Sequence, residues 1–389
     1  MHRPTWVEVD LNTVSSNIKN VRKLVDDKTI IIAIVKANAY GHGIINISKR
    51  LEMEGVDIFG VATVEDGVKL RNNGITKPVL ILGCILPEQI DTILKSSITP
   101  TIVRLDMAKK ISERVEQLSN EKFGINNVNV HVKIDTGMGG FGVYHNDAVD
   151  EIREINGLNH INIEGVFTHF TSSDSSDKDS VDEQVKRFKD VISRLEKYNI
   201  HIPIKHFSNS SATIQIPLTL NAIRPGISIY GMYTSKNVPK SANLQEVMSF
   251  KTTIVNIKKL KKGETVSYNR TFKAERDSLI ATLPVGYSDG YSRRLSNKGR
   301  VLVRGKSVPV AGVVRMDFTY VDVTDVPGIS IGDEVVLFGK QGEEIISIES
   351  IADLTGSIPY EITCAIGADV PRIYKQTGCK SALAEDTKM

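Results

Sequence analysis

The chain has 389 residues, which favours two domains over one, and it is 41% hydrophobic and 24% charged, enough for a substantial core in an ordinary globular protein. The formal net charge is only +3 and no basic stripe interleaves with aromatics, so nucleic-acid binding has no support. Three sparse cysteines, Cys84, Cys364 and Cys379, make neither a disulfide framework nor a metal-ligand spacing, and no metal is expected.

The first residues, Met-His-Arg-Pro-Thr-Trp, lack the apolar core of a signal peptide, and the apolar run 30–35 is far too short to span a bilayer. A cytoplasmic protein with no membrane partner is the expectation. Residues 6–9 read as an isolated strand. Beyond it, β-branched runs at 29–35, 58–61, 79–81, 99–103, 128–134, 163–168, 202–207 and 222–224 alternate with stretches whose apolar residues recur three and four apart. Val185, Phe188, Val191, Ile192 and Leu195 are the clearest helical face. Eight strands alternating with helices predict an α/β fold, a (β/α)8 barrel in preference to an open doubly wound sheet. Residues 171–182, rich in Ser and Asp, read as an exposed loop.

The character changes after about residue 240. Runs at 250–260, 278–285, 300–303, 307–313, 319–323 and 334–338 read as strands separated by turns such as Lys262-Gly263 and Pro327-Gly328, followed by a helix at 347–354. The expected division is a barrel domain at 1–240 and a mainly-β domain at 241–389, with residues 1–10 free to pair with the second.

Barrel active sites lie at the C-terminal ends of the strands. At the first end stands Val35-Lys36-Ala37-Asn38-Ala39-Tyr40-Gly41-His42-Gly43. Burial disfavours an ammonium, so Lys36 could supply the neutral amine that Schiff-base chemistry needs, or it could snorkel from the strand end. At the seventh end, His206-Phe207-Ser208-Asn209-Ser210 offers Ser210 as an anion donor or a helix cap. At the eighth, Arg224-Pro225-Gly226-Ile227 brings backbone amides that could cradle a phosphate, or forms a plain turn. Strands seven and eight are the usual phosphate position of such barrels.

The 35–43 segment resembles the cofactor-lysine signature of alanine racemases. The resemblance runs from Thr5 to Tyr374 and includes Glu164-Gly165-Val166-Phe167-Thr168-His169-Phe170, Arg224-Pro225-Gly226, Val266-Ser267-Tyr268, Pro284-Val285-Gly286-Tyr287-Ser288-Asp289-Gly290 and Ile358-Pro359-Tyr360-Glu361. It implies a racemase that interconverts L- and D-alanine for peptidoglycan synthesis, as a homodimer with shared sites. It implies pyridoxal 5'-phosphate on Lys36, with Tyr40, Ser210, Tyr360 and the backbone at Gly226 and Ile227 on the phosphate. His169 would lie beside the pyridine ring, and Arg224 would face its nitrogen with His206 behind. Lys36 and Tyr268 would be the two bases, Tyr268 coming from the other subunit. Tyr287 and Arg293 would line the access corridor, and the Met316 backbone would border the substrate.

Two segments depart from the family. In Val132-Lys133-Ile134-Asp135-Thr136-Gly137-Met138-Gly139-Gly140-Phe141-Gly142, Gly140 stands where an arginine is usual, one held in place by a lysine at the Lys133 position that is commonly carbamylated. In Val313-Val314-Arg315-Met316-Asp317, Arg315 stands where cysteine is frequent and Val313 where arginine is. The substrate-carboxylate site and the state of Lys133 are therefore open. Two candidates follow for the positive charge there: Lys133 as an unmodified ammonium, since the usual partner of a carbamate is gone, or Arg315, which directly precedes Met316; Arg315 is preferred for the carboxylate, because a guanidinium donates two parallel hydrogen bonds. Racemisation of serine or another small amino acid is an alternative. A decarboxylase of the same plan is a further one, although the glycine run and Cys-Asp element of those enzymes are missing.

Overall fold

The computed structural model describes residues 3–120, 124–175, 178–216, 220–376 and 382–383; Cys379 and the end of the expected second domain lie outside them. Eight parallel strands form the barrel: Ile30–Ile34, Ile58–Val61, Val79–Ile81, Thr101–Ile102, Val128–Asp135, Ile161–Phe167, Ile204–Ser208 and Ala222–Ile223. The eighth pairs with both the first and the seventh. Closure between the third and fourth rests on the isolated Leu80–Thr99 bridge, where Thr99 N–H donates to Val79 at 2.8 Å and Ile81 N–H to Thr99 at 2.9 Å. Every barrel strand from Ile30–Ile34 to Thr101–Ile102 is almost wholly buried, which is why they read as unbroken apolar runs.

The helices lie outside. Asp179–Lys197 buries Val181, Gln184, Phe188, Val191 and Leu195, a three-and-four spacing, and Phe188 meets Phe207 of the seventh strand edge-on at 6.0 Å. The stretch before it is less exposed than its composition implies: Ser173 is buried, with Oγ 2.6 Å from Ser211 Oγ.

The second domain is mainly β. Its larger sheet runs Lys306–Pro309, Arg300–Val303, Glu334–Gln341, Met248–Thr253, Thr5–Asp10, Arg372–Lys375. The N-terminal strand is thus interior to this sheet, antiparallel to Met248–Thr253 (Val7 opposite Phe250) and parallel to Arg372–Lys375 (Val9 opposite Tyr374). A second sheet joins Asn256–Leu260, Ser278–Leu283 and Thr319–Asp322. The run expected as one strand at 250–260 is two, because the chain changes sheets there: Ile254 N–H donates to Asp333 at 3.0 Å and Val255 N–H to Thr282 at 3.0 Å. The run expected at 307–313 is a strand only to Pro309. Two short strands, Thr265–Val266 and Phe272–Lys273, form a hairpin that the composition does not announce; its loop carries Tyr268. Among the described residues no helix is long and apolar enough to cross a membrane, and no group of three or more His, Cys, Asp or Glu could hold a metal.

Candidate active site

Lys36 follows the first barrel strand and opens an unusual turn. Ala37, Asn38, Ala39 and Tyr40 all have φ between +52° and +54°. Four consecutive non-glycine residues in the left-handed region cost about 1–2 kcal/mol each, so the turn must be held from outside. Asn38 Oδ1 accepts from Ile44 N–H at 2.9 Å, Arg372 Nε donates to the Gly41 carbonyl at 2.7 Å, and Tyr374 Oη to the His42 carbonyl at 3.1 Å. Gly41 is required, since a Cβ there would lie 2.2 Å from the Thr363 carbonyl oxygen. The strand Arg372–Lys375 of the second domain thereby clamps the turn that aims Lys36 and Tyr40.

Both side chains line a cavity of about 390 Å³, shared with Ile34, Leu82, Lys133, Met138, Phe141, Phe167, His169, Asn209, Ser210, Arg224, Gly226, Ile227 and Tyr360. Among the described residues no carboxylate lines it. Lys36 is exposed at the open mouth of the cavity, yet enough protein surrounds its ammonium to disfavour the charged form. Burial and then the Arg224 charge lower its pKa. Burial raises the phenols of Tyr40 and Tyr360, so both stay protonated donors. Ser210 Oγ accepts from Gly226 N–H at 2.9 Å, which ties the seventh and eighth strand ends together. A Cβ on Gly226 would sit 2.6 Å from Tyr40 Oη.

Arg224 is buried at the cavity floor. Its Nη1 donates to His206 Nδ1 at 2.7 Å and to the His206 carbonyl at 3.1 Å. Its Nη2 donates to the carbonyls of Thr168 at 2.8 Å and Phe207 at 3.1 Å, and reaches His169 Nδ1 at 3.1 Å. Among the described residues no acceptor is recorded for Nε. Burial pulls its pKa down to about 9, still a cation at neutral pH. His169 falls to about 3 through burial and the Arg224 charge, and His206 lies well below its usual range for the same reasons. The chain continues. An imidazole that accepts at Nδ1 carries its proton on Nε2, and His206 Nε2 lies 3.0 Å from His131 Nδ1. That fixes the His131 proton at Nε2, 3.4 Å from the Glu164 carboxylate, although without an aligned hydrogen bond. Gly165 makes room for the His131 ring, which a Cβ would meet at 2.4 Å. His131 was legible in principle: it lies two residues before Lys133 on one strand, and alternation turns both inward.

Tyr268 is not in this cavity. It is 59% exposed and lines a separate concavity of about 420 Å³ with Tyr287, Arg293, Val313, Arg315, Met316 and Phe318. Ser267 Oγ anchors its loop, donating to the Val313 carbonyl at 2.8 Å. Arg315, expected at the substrate carboxylate, is engaged elsewhere in its own chain. Its Nη1 donates to Tyr320 Oη at 2.8 Å, its Nη2 to Tyr268 Oη at 3.4 Å, and its Cζ lies 4.9 Å from the Tyr268 ring centre.

A barrel with a clamped lysine at its mouth, joined to a β domain, defines a class of enzyme whose site lies at the C-terminal strand ends and presents a side-chain amine. Family profiles described as alanine racemase, N-terminal domain and alanine racemase, C-terminal domain match residues 9–234 and 247–374. The chain is 44% identical over 378 residues to alanine racemase 2 of Caldanaerobacter subterraneus subsp. tengcongensis, covering 97% of this chain and 96% of that protein. It is 43% identical to the alanine racemase of Halothermothrix orenii, at 96% and 97% coverage. The solved alanine racemase of Clostridium difficile 630 superposes with a TM-score of 0.91 at 38% identity, covering 97% of each chain. A histidine racemase of Leuconostoc mesenteroides superposes with a TM-score of 0.87 at 27% identity, covering 96% and 99%. The chain belongs to the alanine racemase family, and its activity is the interconversion of L- and D-alanine.

Proposed function

We propose that racemisation proceeds on pyridoxal 5'-phosphate held by Lys36, in a homodimer where Tyr268 of one subunit completes the cavity of the other. The observation that carries this reading is the donor set of an acid-free cavity. Protonated Tyr40, Ser210 and Tyr360, with the backbone at Gly226 and Ile227, suit a phosphate. Arg224 Nε, with no acceptor among the described residues, suits the pyridine nitrogen. Lys36 lines the same cavity. Such a cofactor, when bound, makes the Cα–H bond of an attached amino acid acidic.

The protein's own groups then decide the outcome. Arg224 is still a cation at neutral pH and can only donate, so it would hydrogen-bond to the ring nitrogen and leave it unprotonated. That makes a weaker electron sink and favours plain proton exchange over side reactions. Lys36, its ammonium disfavoured by burial, takes or returns the proton on one face of Cα. Inversion requires a second group on the opposite face. Tyr268 is exposed on its own chain and lines no part of that chain's Lys36 cavity, which supports delivery across a subunit interface. His169 would pack beside the ring, Tyr287 and Arg293 would line the corridor, and the Met316 backbone would border the substrate. Arg315, held against Tyr268 and Tyr320, acts on Tyr268 more directly than on substrate. We place the reaction in the cytoplasm, as a source of D-alanine for peptidoglycan. A broader substrate range is the second reading, favoured by the absence of a side chain at Gly140.

The test is incubation of purified protein with L-alanine, L-serine and L-lysine in heavy water. Chiral chromatography with mass analysis is expected to report inversion and one deuterium at Cα of alanine, with no loss of carbon dioxide from lysine. Borohydride reduction is expected to fix the cofactor on Lys36, and a Lys36→Ala protein that still gave a full yield of reduced adduct would overturn the assignment.

A further inference from the structure

Lys133 projects from the fifth barrel strand into the same cavity and is only 5% exposed. Its Nζ rests 3.3 Å from the centre of the Phe141 ring. Among the described residues it has no carboxylate partner within 4 Å and no hydrogen-bond acceptor. A buried amine without a partner calls for an anion from outside the chain. Resting on the Proposed function reading, we propose that Lys133 stays an unmodified ammonium and binds the carboxylate of the amino-acid substrate.

The layout of the cavity carries this. The phosphate donors come from the seventh and eighth strand ends, the Lys36 turn and Tyr360. Lys36 is taken by the cofactor, and both Nη atoms of Arg224 are taken by carbonyls and imidazoles. Lys133 is the remaining side-chain cation of the cavity lining, and it comes from the fifth strand, which supplies none of the phosphate donors. The ring face beneath its Nζ is the negative pole of the Phe141 quadrupole, which favours an ammonium and disfavours a carbamate anion at that point. A carbamate would also need a donor, and Gly140, between the cavity-lining residues Met138 and Phe141 in sequence, offers no side chain. The loop is preset by Asp135, whose carboxylate accepts from Gly137 N–H at 3.0 Å and from Gly139 N–H at 3.0 and 3.1 Å. Burial lowers the Lys133 pKa to about 8, with Arg224 and Lys36 acting in the same direction and Asp135 and Cys84 against it; His169 stays neutral beside them. A bound carboxylate would hold the proton in place.

The experiment compares two amines on the cofactor-loaded dimer: alanine, and ethylamine, which lacks the carboxylate. Each is titrated against the cofactor's visible absorption band to give a Kd. In Lys133→Met, alanine is expected to bind roughly ten- to hundredfold more weakly, while ethylamine changes by less than about twofold. In the same background, Gly140→Arg is expected to restore part of the discrimination, because a Cβ at Gly140 meets no atom within 4 Å. Equal loss for both amines, or no loss for either, overturns the proposal. A second measurement needs no variant. Wild-type protein in 13C-bicarbonate is expected to show no stoichiometric carbamate carbon, and such a signal on Lys133 also overturns it. A protein that never acquires the visible band would instead refute the cofactor reading itself.

Discussion

At the residue scale, Arg315 is the side chain whose expected and observed surroundings differ most. The family resemblance put it near the substrate because it precedes Met316, and its guanidinium donates to two phenols of its own domain. A cation beside Tyr268 Oη stabilises the negative charge that grows there as the proton leaves. Arg315→Ala is therefore expected to lower kcat about tenfold, roughly the worth of one charge-assisted hydrogen bond, with the KM for alanine changed less than about threefold. Cα exchange in heavy water is expected to suffer more from one enantiomer than from the other. A large rise in KM at constant kcat would return Arg315 to the carboxylate. Legibility at this scale divides by chain locality. Lys36, Ser210 and Arg224 follow apolar runs, so their place at strand ends could be read directly. The His206–His131–Glu164 line joins three different strands, and nothing in the spacing of 131, 164 and 206 reveals it.

At the element scale, the barrel strands were legible because burial on both faces leaves short β-branched runs. The second domain was less so. A chain that changes sheets at Ile254–Val255 keeps its apolar pattern while its partners change, and the loop hairpin around Tyr268 is only two residues long on each side. The helix Ile348–Thr355, expected at 347–354 and capped by Ser347, carries a titration of its own. The half-buried Glu246 carboxylate accepts from Ile348 N–H at 2.9 Å, with Glu349 and Lys240 nearby. Burial pushes its pKa up to about 7, with Glu349 adding to the rise and Lys240 opposing it. The folded state thus holds a proton that the unfolded chain has released between about pH 4.5 and 7, so this group's contribution to stability falls as pH rises through that window and is level above it. Glu246→Gln keeps an acceptor for Ile348 and has no charge to bury. Thermal unfolding is expected to show the wild type losing a few degrees more than the variant between pH 5 and pH 8. Parallel pH profiles for the two proteins would refute this.

At the scale of the whole molecule, the two proposed bases sit in separate concavities of one chain. Mixing therefore makes a sharp test. Lys36→Ala and Tyr268→Phe homodimers are each expected to be nearly inactive. Dissociated and reassociated together, they form heterodimers in which one site has both native residues, so up to about a quarter of wild-type activity should return. A fully active monomer in solution, or no recovery on mixing, would rule out a shared site.

The position of Thr5–Asp10 inside the second domain's sheet has a consequence for synthesis. Its two neighbours, Met248–Thr253 and Arg372–Lys375, leave the ribosome long after it does. At about 5–20 residues per second, the nascent chain carries this strand without its last partner for roughly 20–70 s. The barrel can close during that interval, because all eight of its strands precede residue 224. The second domain cannot. The tip of the chain must stay free of the growing barrel and of other nascent chains until it is captured from both sides. Arg372 and Tyr374 lie on the strand that completes the capture, and they also clamp the Lys36 turn. The left-handed turn that follows Lys36 is therefore clamped only after residue 374 has been made.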